Sequence, residues 1–82
     1  MLAPPSAFLR ELARRLTAAR QARGQTQQEV YDATGIHVAR LETGRRSVAL
    51  RTVALLCRYY QVELSQVVAG LEHLLAEAER EP

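Results

Sequence analysis

The chain has 82 residues and 48% apolar content, enough for one domain around one modest core and too apolar for a disordered segment. No apolar run approaches the ~18 residues that span a bilayer, and Met1–Ser6 lacks the basic stretch and apolar stretch of a secretion signal. The expectation is a cytoplasmic protein without membrane contact. The formal charge of +2 hides an asymmetry: ten arginines against five carboxylates leave +5 in residues 1–70, whereas Arg80 against Glu72, Glu77, Glu79 and Glu81 leaves −3 in residues 71–82.

A basic body with an acidic tail suits a polyanionic partner, and every cation is an arginine, whose planar fork fits phosphate and guanine edges. Arginine in place of lysine is also what a GC-rich genome produces. Cys57 is the only cysteine, which excludes an internal disulfide and a cysteine-based structural zinc. Its apolar helical surroundings predict a small buried residue with a raised thiol pKa. His37, His73 and Cys57 are too scattered for a nucleophile and its base or for a metal cluster, so neither catalysis, a metal nor a cofactor is expected.

Apolar spacing predicts five helices and no strand. Ser6, after Pro4 and Pro5, caps a first helix with the stripe Phe8, Leu9, Leu12, Leu16 and Ala19, which runs to about Arg23 and stops at Gly24. Thr26 and Glu29 have the spacing of a capping box that opens the second helix. Asp32 to Gly35 reads as a break, with Thr34 capping a short third helix that ends at Gly44. Arg45, Arg46 and Ser47 form a basic loop. Leu50, Val53, Leu56, Cys57 and Tyr60 mark the fourth helix, and Ser65 caps the fifth. Gly70 either ends the fifth helix or weakens it; Leu71, Leu74, Leu75 and Ala78 continue a helical stripe, so helix is expected to about Glu79, with or without a kink. The fold class is all-α: a compact five-helix bundle in a single domain, with a core over about residues 7–70 and a C-terminal helical extension over about 71–80.

Two short helices joined by a tight break inside such a bundle can project one helix end into a major groove about 12 Å wide. On the wheel of the third helix Ile36, Arg40 and Thr43 fall within about 60° of one another with His37 beside them, and Val38, Leu41 and Glu42 lie opposite.

Four segments carry a resemblance. They are Leu12-Ala13-Arg14-Arg15-Leu16 with Ala19-Arg20 and Gly24; Thr26-Gln27-Gln28-Glu29-Val30; Arg40-Leu41-Glu42-Thr43-Gly44-Arg45-Arg46; and Leu50-Arg51-Thr52-Val53 through Leu56 followed by Val62-Glu63-Leu64-Ser65. In this order the chain resembles the phage repressor and Cro-type helix-turn-helix family, with a lambda repressor-like bundle, over roughly Leu9 to Val68. Between Val30 and Leu41 it is about three residues shorter than the family pattern, close to one helical turn, so the second helix or the turn is expected to shrink.

The resemblance implies a transcription regulator, a repressor, that reads double-stranded DNA as a homodimer on a palindromic operator. With Thr34 as the cap, Gly35 and Ile36 fall where the family presents its first base-reading side chains. Arg40 matches a later base-reading position, and arginine bidentate to guanine is the commonest specific contact; His37 is the second choice. Gln27 matches a position that holds a backbone phosphate at a helix N-terminus. Thr43, Arg45 and Arg46 match the second phosphate clamp. Arg20 and Glu42 resemble the family's internal ion pair, a structural role.

The rival reading is an antitoxin-like or antirepressor-like module that binds a second protein and has lost DNA contact, a reading kept open by the short turn and the apolar Ile36. The stripe Leu71, Leu74, Leu75 and Ala78 has no obvious home in a core already closed by Val62, Leu64, Val67 and Val68. It is expected to form the dimer interface or to pack back on Phe8 and Leu9.

Overall fold

The computed structural model of the protein describes residues 6–75. Among these are five α-helices, α1 Ala7–Ala22, α2 Gln27–Thr34, α3 Val38–Leu41, α4 Leu50–Tyr60 and α5 Leu64–Val68, then a 3₁₀ turn at Leu71–Leu74 and no strand.

Local chemistry sets the first boundaries where the sequence places them. The Ser6 hydroxyl accepts the Leu9 N–H at 3.0 Å and opens α1. At its end the Gly24 N–H donates to the Gln21 carbonyl at 2.9 Å and the Gln25 N–H to that of Arg20 at 3.2 Å, a Schellman closure that needs the left-handed φ of 68° at Gly24. The capping box of α2 is complete: the Glu29 N–H donates to Thr26 Oγ1 at 3.0 Å, and the Thr26 N–H donates to Glu29 Oε1 at 2.8 Å.

Apolar residues at three- and four-residue spacing then turn inward. Leu16, Val30, Val38, Leu56, Cys57, Tyr60 and Leu71 are all but sealed from solvent within one core cluster. Burying a side chain of this size contributes about 1.5–3 kcal/mol. Cys57 is buried here, and burial pushes its thiol up. Arg15 adds a polar tie between distant elements. Its Nη1 donates to the carbonyls of Val67 at 3.0 Å and Ala69 at 2.7 Å, while Nε holds Glu11 Oε2 at 3.0 Å. Two carbonyls at the end of α5, those of Val67 and of the cap residue Ala69, are thus satisfied from α1.

The second half of the helix-turn-helix and the C-terminus differ from expectation. Residues Asp32 to Thr34 are helical and belong to α2, and Thr34 does not cap α3. Its hydroxyl donates back to the Val30 carbonyl at 2.8 Å and accepts the Ile36 N–H at 3.1 Å. Gly35, at φ 75°, ends α2, and His37 (φ −79°, ψ 73°) forms an inverse γ-turn closed by the Val38 N–H on the Ile36 carbonyl at 2.9 Å. α3 is thus a single turn of four residues, whereas α2 runs for eight. Ser65 is not a cap either, because α5 begins two residues earlier than expected, at Leu64, with Glu63 at the cap position.

After Val68 the chain stays helical only after a break. Ala69 is extended at ψ 125°, Gly70 is left-handed at φ 74°, and the 3₁₀ turn that follows swings Leu71 into the core, 1% exposed. Leu71 therefore belongs to the core. Ala78 and the rest of the helix expected to Glu79 lie outside the described residues. Among the described residues no helix is long and apolar enough to cross a membrane.

Candidate nucleic-acid interface

Val38 decides how α3 sits. It is 1% exposed, anchored in the core beside half-buried Leu41, which leaves Ala39 and Arg40 on the outer side of a single helical turn. His37, at the cap position, lies against Tyr31 of α2 with ring centroids 4.7 Å apart and planes tilted by 35°. Gln27, Gln28, Tyr31, His37, Val38 and Ala39 line a groove of about 450 Å³ between α2 and α3. Arg40 follows at its end.

The loop after α3 is held by its own hydroxyl and by α1. Thr43 Oγ1 donates to the Arg40 carbonyl at 2.7 Å and accepts the Arg45 N–H at 3.4 Å. Gly44 is buried with φ 70°; a Cβ there would stand 3.1 Å from the Arg10 Cα and 3.4 Å from both the Ala13 Cβ and the Leu9 carbonyl oxygen. The loop touches α1 backbone to backbone, and Arg45 and Arg46 are exposed beyond it.

Beneath this surface the expected ion pair is present. Arg20 Nε and Nη2 donate to the two oxygens of Glu42 at 2.8 and 3.1 Å, and Arg20 Nη1 donates to the Gln25 carbonyl at 2.7 Å. The side chains are 12% and 6% exposed, and the bond to Glu42 raises the Arg20 pKa above its ordinary value. Gln27 Nε2 also donates to Glu42 Oε1, at 2.9 Å. One carboxylate thus ties the end of α1, the first residue of α2 and the end of α3, and its charge is answered by Arg20.

His37, Arg40, Thr43, Arg45 and Arg46 are all exposed around α3 and its following loop, and Gln27 shares the groove with His37. Thr34 and Ile36 are not with them. The Thr34 hydroxyl is committed to backbone, and Ile36 is half-buried against the core, lining a separate cavity of about 340 Å³ with Ala33, Leu55, Arg58 and Tyr59. Gly35 is exposed but carries only the chain reversal. The Ile36–Arg40–Thr43 face of the third-helix wheel does not form, because Ile36 precedes the helix. Gln28, Tyr31 and Ala39 are groove residues that the sequence reading missed. The first two lie on α2 with Gln27, at steps of one and four residues, inside the helix the sequence predicts.

Residues 11–69 match a family model described as a helix-turn-helix domain. No curated protein and no solved structure matches the chain.

Proposed function

Because the chain belongs to the helix-turn-helix domain family, we propose that it is a sequence-specific regulator that binds double-stranded DNA, a repressor of the phage repressor and Cro type, acting as a homodimer on a palindromic operator. The observation that carries the reading is the exposed end of α3: Arg40 lies on its outer side, Arg45 and Arg46 are exposed in the loop that follows, and among the described residues none of the three is in an ion pair, Glu42 being held by Arg20. A helix end with unopposed arginines fits a groove walled by phosphate. Arg40 reads a guanine edge, with His37 second. Gln27, Thr43, Arg45 and Arg46 position the duplex through its backbone.

The alternative, a protein-binding module that no longer reads DNA, drew on Ile36 at a reading position. Ile36 is packed on the core and no longer argues for it, which leaves the short turn as its ground.

Selection of bound sites from random duplexes tests the reading. Inverted repeats are expected, with half-sites about 34 Å apart. Arg40→Ala should relax preference at one base step and cost about 1–3 kcal/mol there, whereas Arg45→Ala and Arg46→Ala should weaken all sequences alike and flatten the salt dependence by about one. Absence of any inverted repeat, or an Arg40→Ala protein with unchanged site preference, overturns the reading or its named reader respectively.

A further inference from the structure

We propose that α1 carries a second set of DNA backbone contacts, centred on Arg10, so that the phosphate track runs from the Thr43–Arg46 loop onto the first helix. The inference rests on the DNA-binding reading above and extends its contact surface.

α1 has two working faces. One is the core stripe of Leu12 and Leu16; the other is Arg10, Ala13, Arg14, Thr17, Ala18 and Gln21, at helical steps of three and four. These six residues, with Glu42 and Thr43 on the far side, line an open groove of about 420 Å³. The middle of the stripe is small, so a partner can approach the helix closely, and its upper end is cationic. Gly44 fixes the register between loop and helix: a Cβ on it would stand 3.1 Å from the Arg10 Cα, so Arg10 lies beside the chain that leads to Arg45 and Arg46.

The charge pattern is unbalanced in a way that a structural role does not explain. Arg10 and Arg14 are one turn apart on the same face, an arrangement that weakens an isolated helix slightly. Glu11, the adjacent carboxylate, is engaged elsewhere: it accepts from Arg14 at 2.7 and 2.9 Å and from Arg15 at 3.0 Å, which lowers its pKa to about 2. Glu42 faces Arg20. Among the described residues no carboxylate lies within ion-pair distance of Arg10, which is exposed. The groove therefore presents one free guanidinium and a second already anchored by Glu11, a pair that suits phosphate oxygens.

The experiment is a salt titration of duplex binding for the full chain, using a selected site and a random duplex. Arg10→Ala should lower the log–log slope by about one and weaken both duplexes by the same factor. Its thermal midpoint should remain that of the wild type, since the side chain is exposed. Arg10→Lys should restore the slope. Arg58→Ala, a cation in the separate cavity beside Ile36, should leave it unchanged. In ethylation interference, at least one phosphate that blocks the wild type should cease to matter for Arg10→Ala. A wild-type slope in Arg10→Ala, or an equal drop in Arg58→Ala, overturns the inference while the DNA reading stands. A wild type that binds no duplex overturns the DNA reading itself.

Discussion

Glu42 is where the stability of the chain and the shape of its outer surface meet. It accepts two bonds from Arg20 and one from Gln27, and beneath it Tyr60 is 1% exposed with a hydroxyl that bonds to none of the described residues. Burial, with Glu42 nearby, pushes that phenol up to about 12, so it stays neutral. Glu42→Ala would leave the Arg20 guanidinium largely buried with only the Gln25 carbonyl to answer it. Breaking one side of a buried pair costs about 3–5 kcal/mol, and for a chain of this size each kcal/mol lowers the melting midpoint by about 4–8 °C. A drop above about 10 °C is expected for Glu42→Ala, with DNA binding lost in proportion to folded protein. An unchanged midpoint would remove the pair from this account. The pair itself was legible from the resemblance. The third partner was not, because Gln27 reaches Glu42 only after α2 and α3 have packed.

At the scale of elements, the loop after α3 depends on Gly44, and a comparison with Gly35 separates its two demands. Both are left-handed, at φ 70° and 75°, so an alanine at either position incurs the strain of an L residue there, about 1–2 kcal/mol. At Gly35 an added Cβ meets open space, whereas at Gly44 it meets the α1 backbone at 3.1 Å. Gly44→Ala should therefore destabilise by about 1–3 kcal/mol more than Gly35→Ala in urea denaturation. It should also weaken binding to every duplex, because Arg45 and Arg46 move with the loop. Equal costs would mean that the contact with α1 contributes nothing. The same elements explain what the sequence made legible. Ser6 and the Thr26–Glu29 box act over three residues, so α1 and the start of α2 could be read locally. Thr34 could not, since a threonine serves equally as an N-cap or as a donor to the carbonyl four residues back, and only the tertiary fit of Val38 and Ile36 selects the second. Arg15 had no local signal at all, because its carbonyl partners lie more than fifty residues away, |i−j| 52 and 54.

At the scale of the whole molecule, the proposed homodimer needs an apolar surface, and the chain beyond α5 offers one. The turn at Gly70 resolves the C-terminal stripe into two parts. Leu71 is sealed in the core on the side of α1, while Leu74 and Leu75 are each 38% exposed. Among the described residues of the stripe the latter two are available to a second copy, and Glu72 beside them is exposed. Residues 71–82 carry a net charge of −3, which disfavours contact of this end with phosphate. Joining two copies here doubles the contacts that one such domain can make with DNA, and it sets two α3 helices about one axis. The test must spare Leu71, because a charge at that buried position would unfold the chain whatever the oligomeric state. Leu74→Glu with Leu75→Glu should give a monomer by sedimentation, with wild-type helical content and a melting midpoint independent of protein concentration. Its affinity for the selected inverted repeat should fall steeply, while its affinity for a single half-site stays near that of the wild type. A dimer that survives both substitutions would place the two-fold contact on another face, and a wild type that sediments as a monomer would remove it altogether.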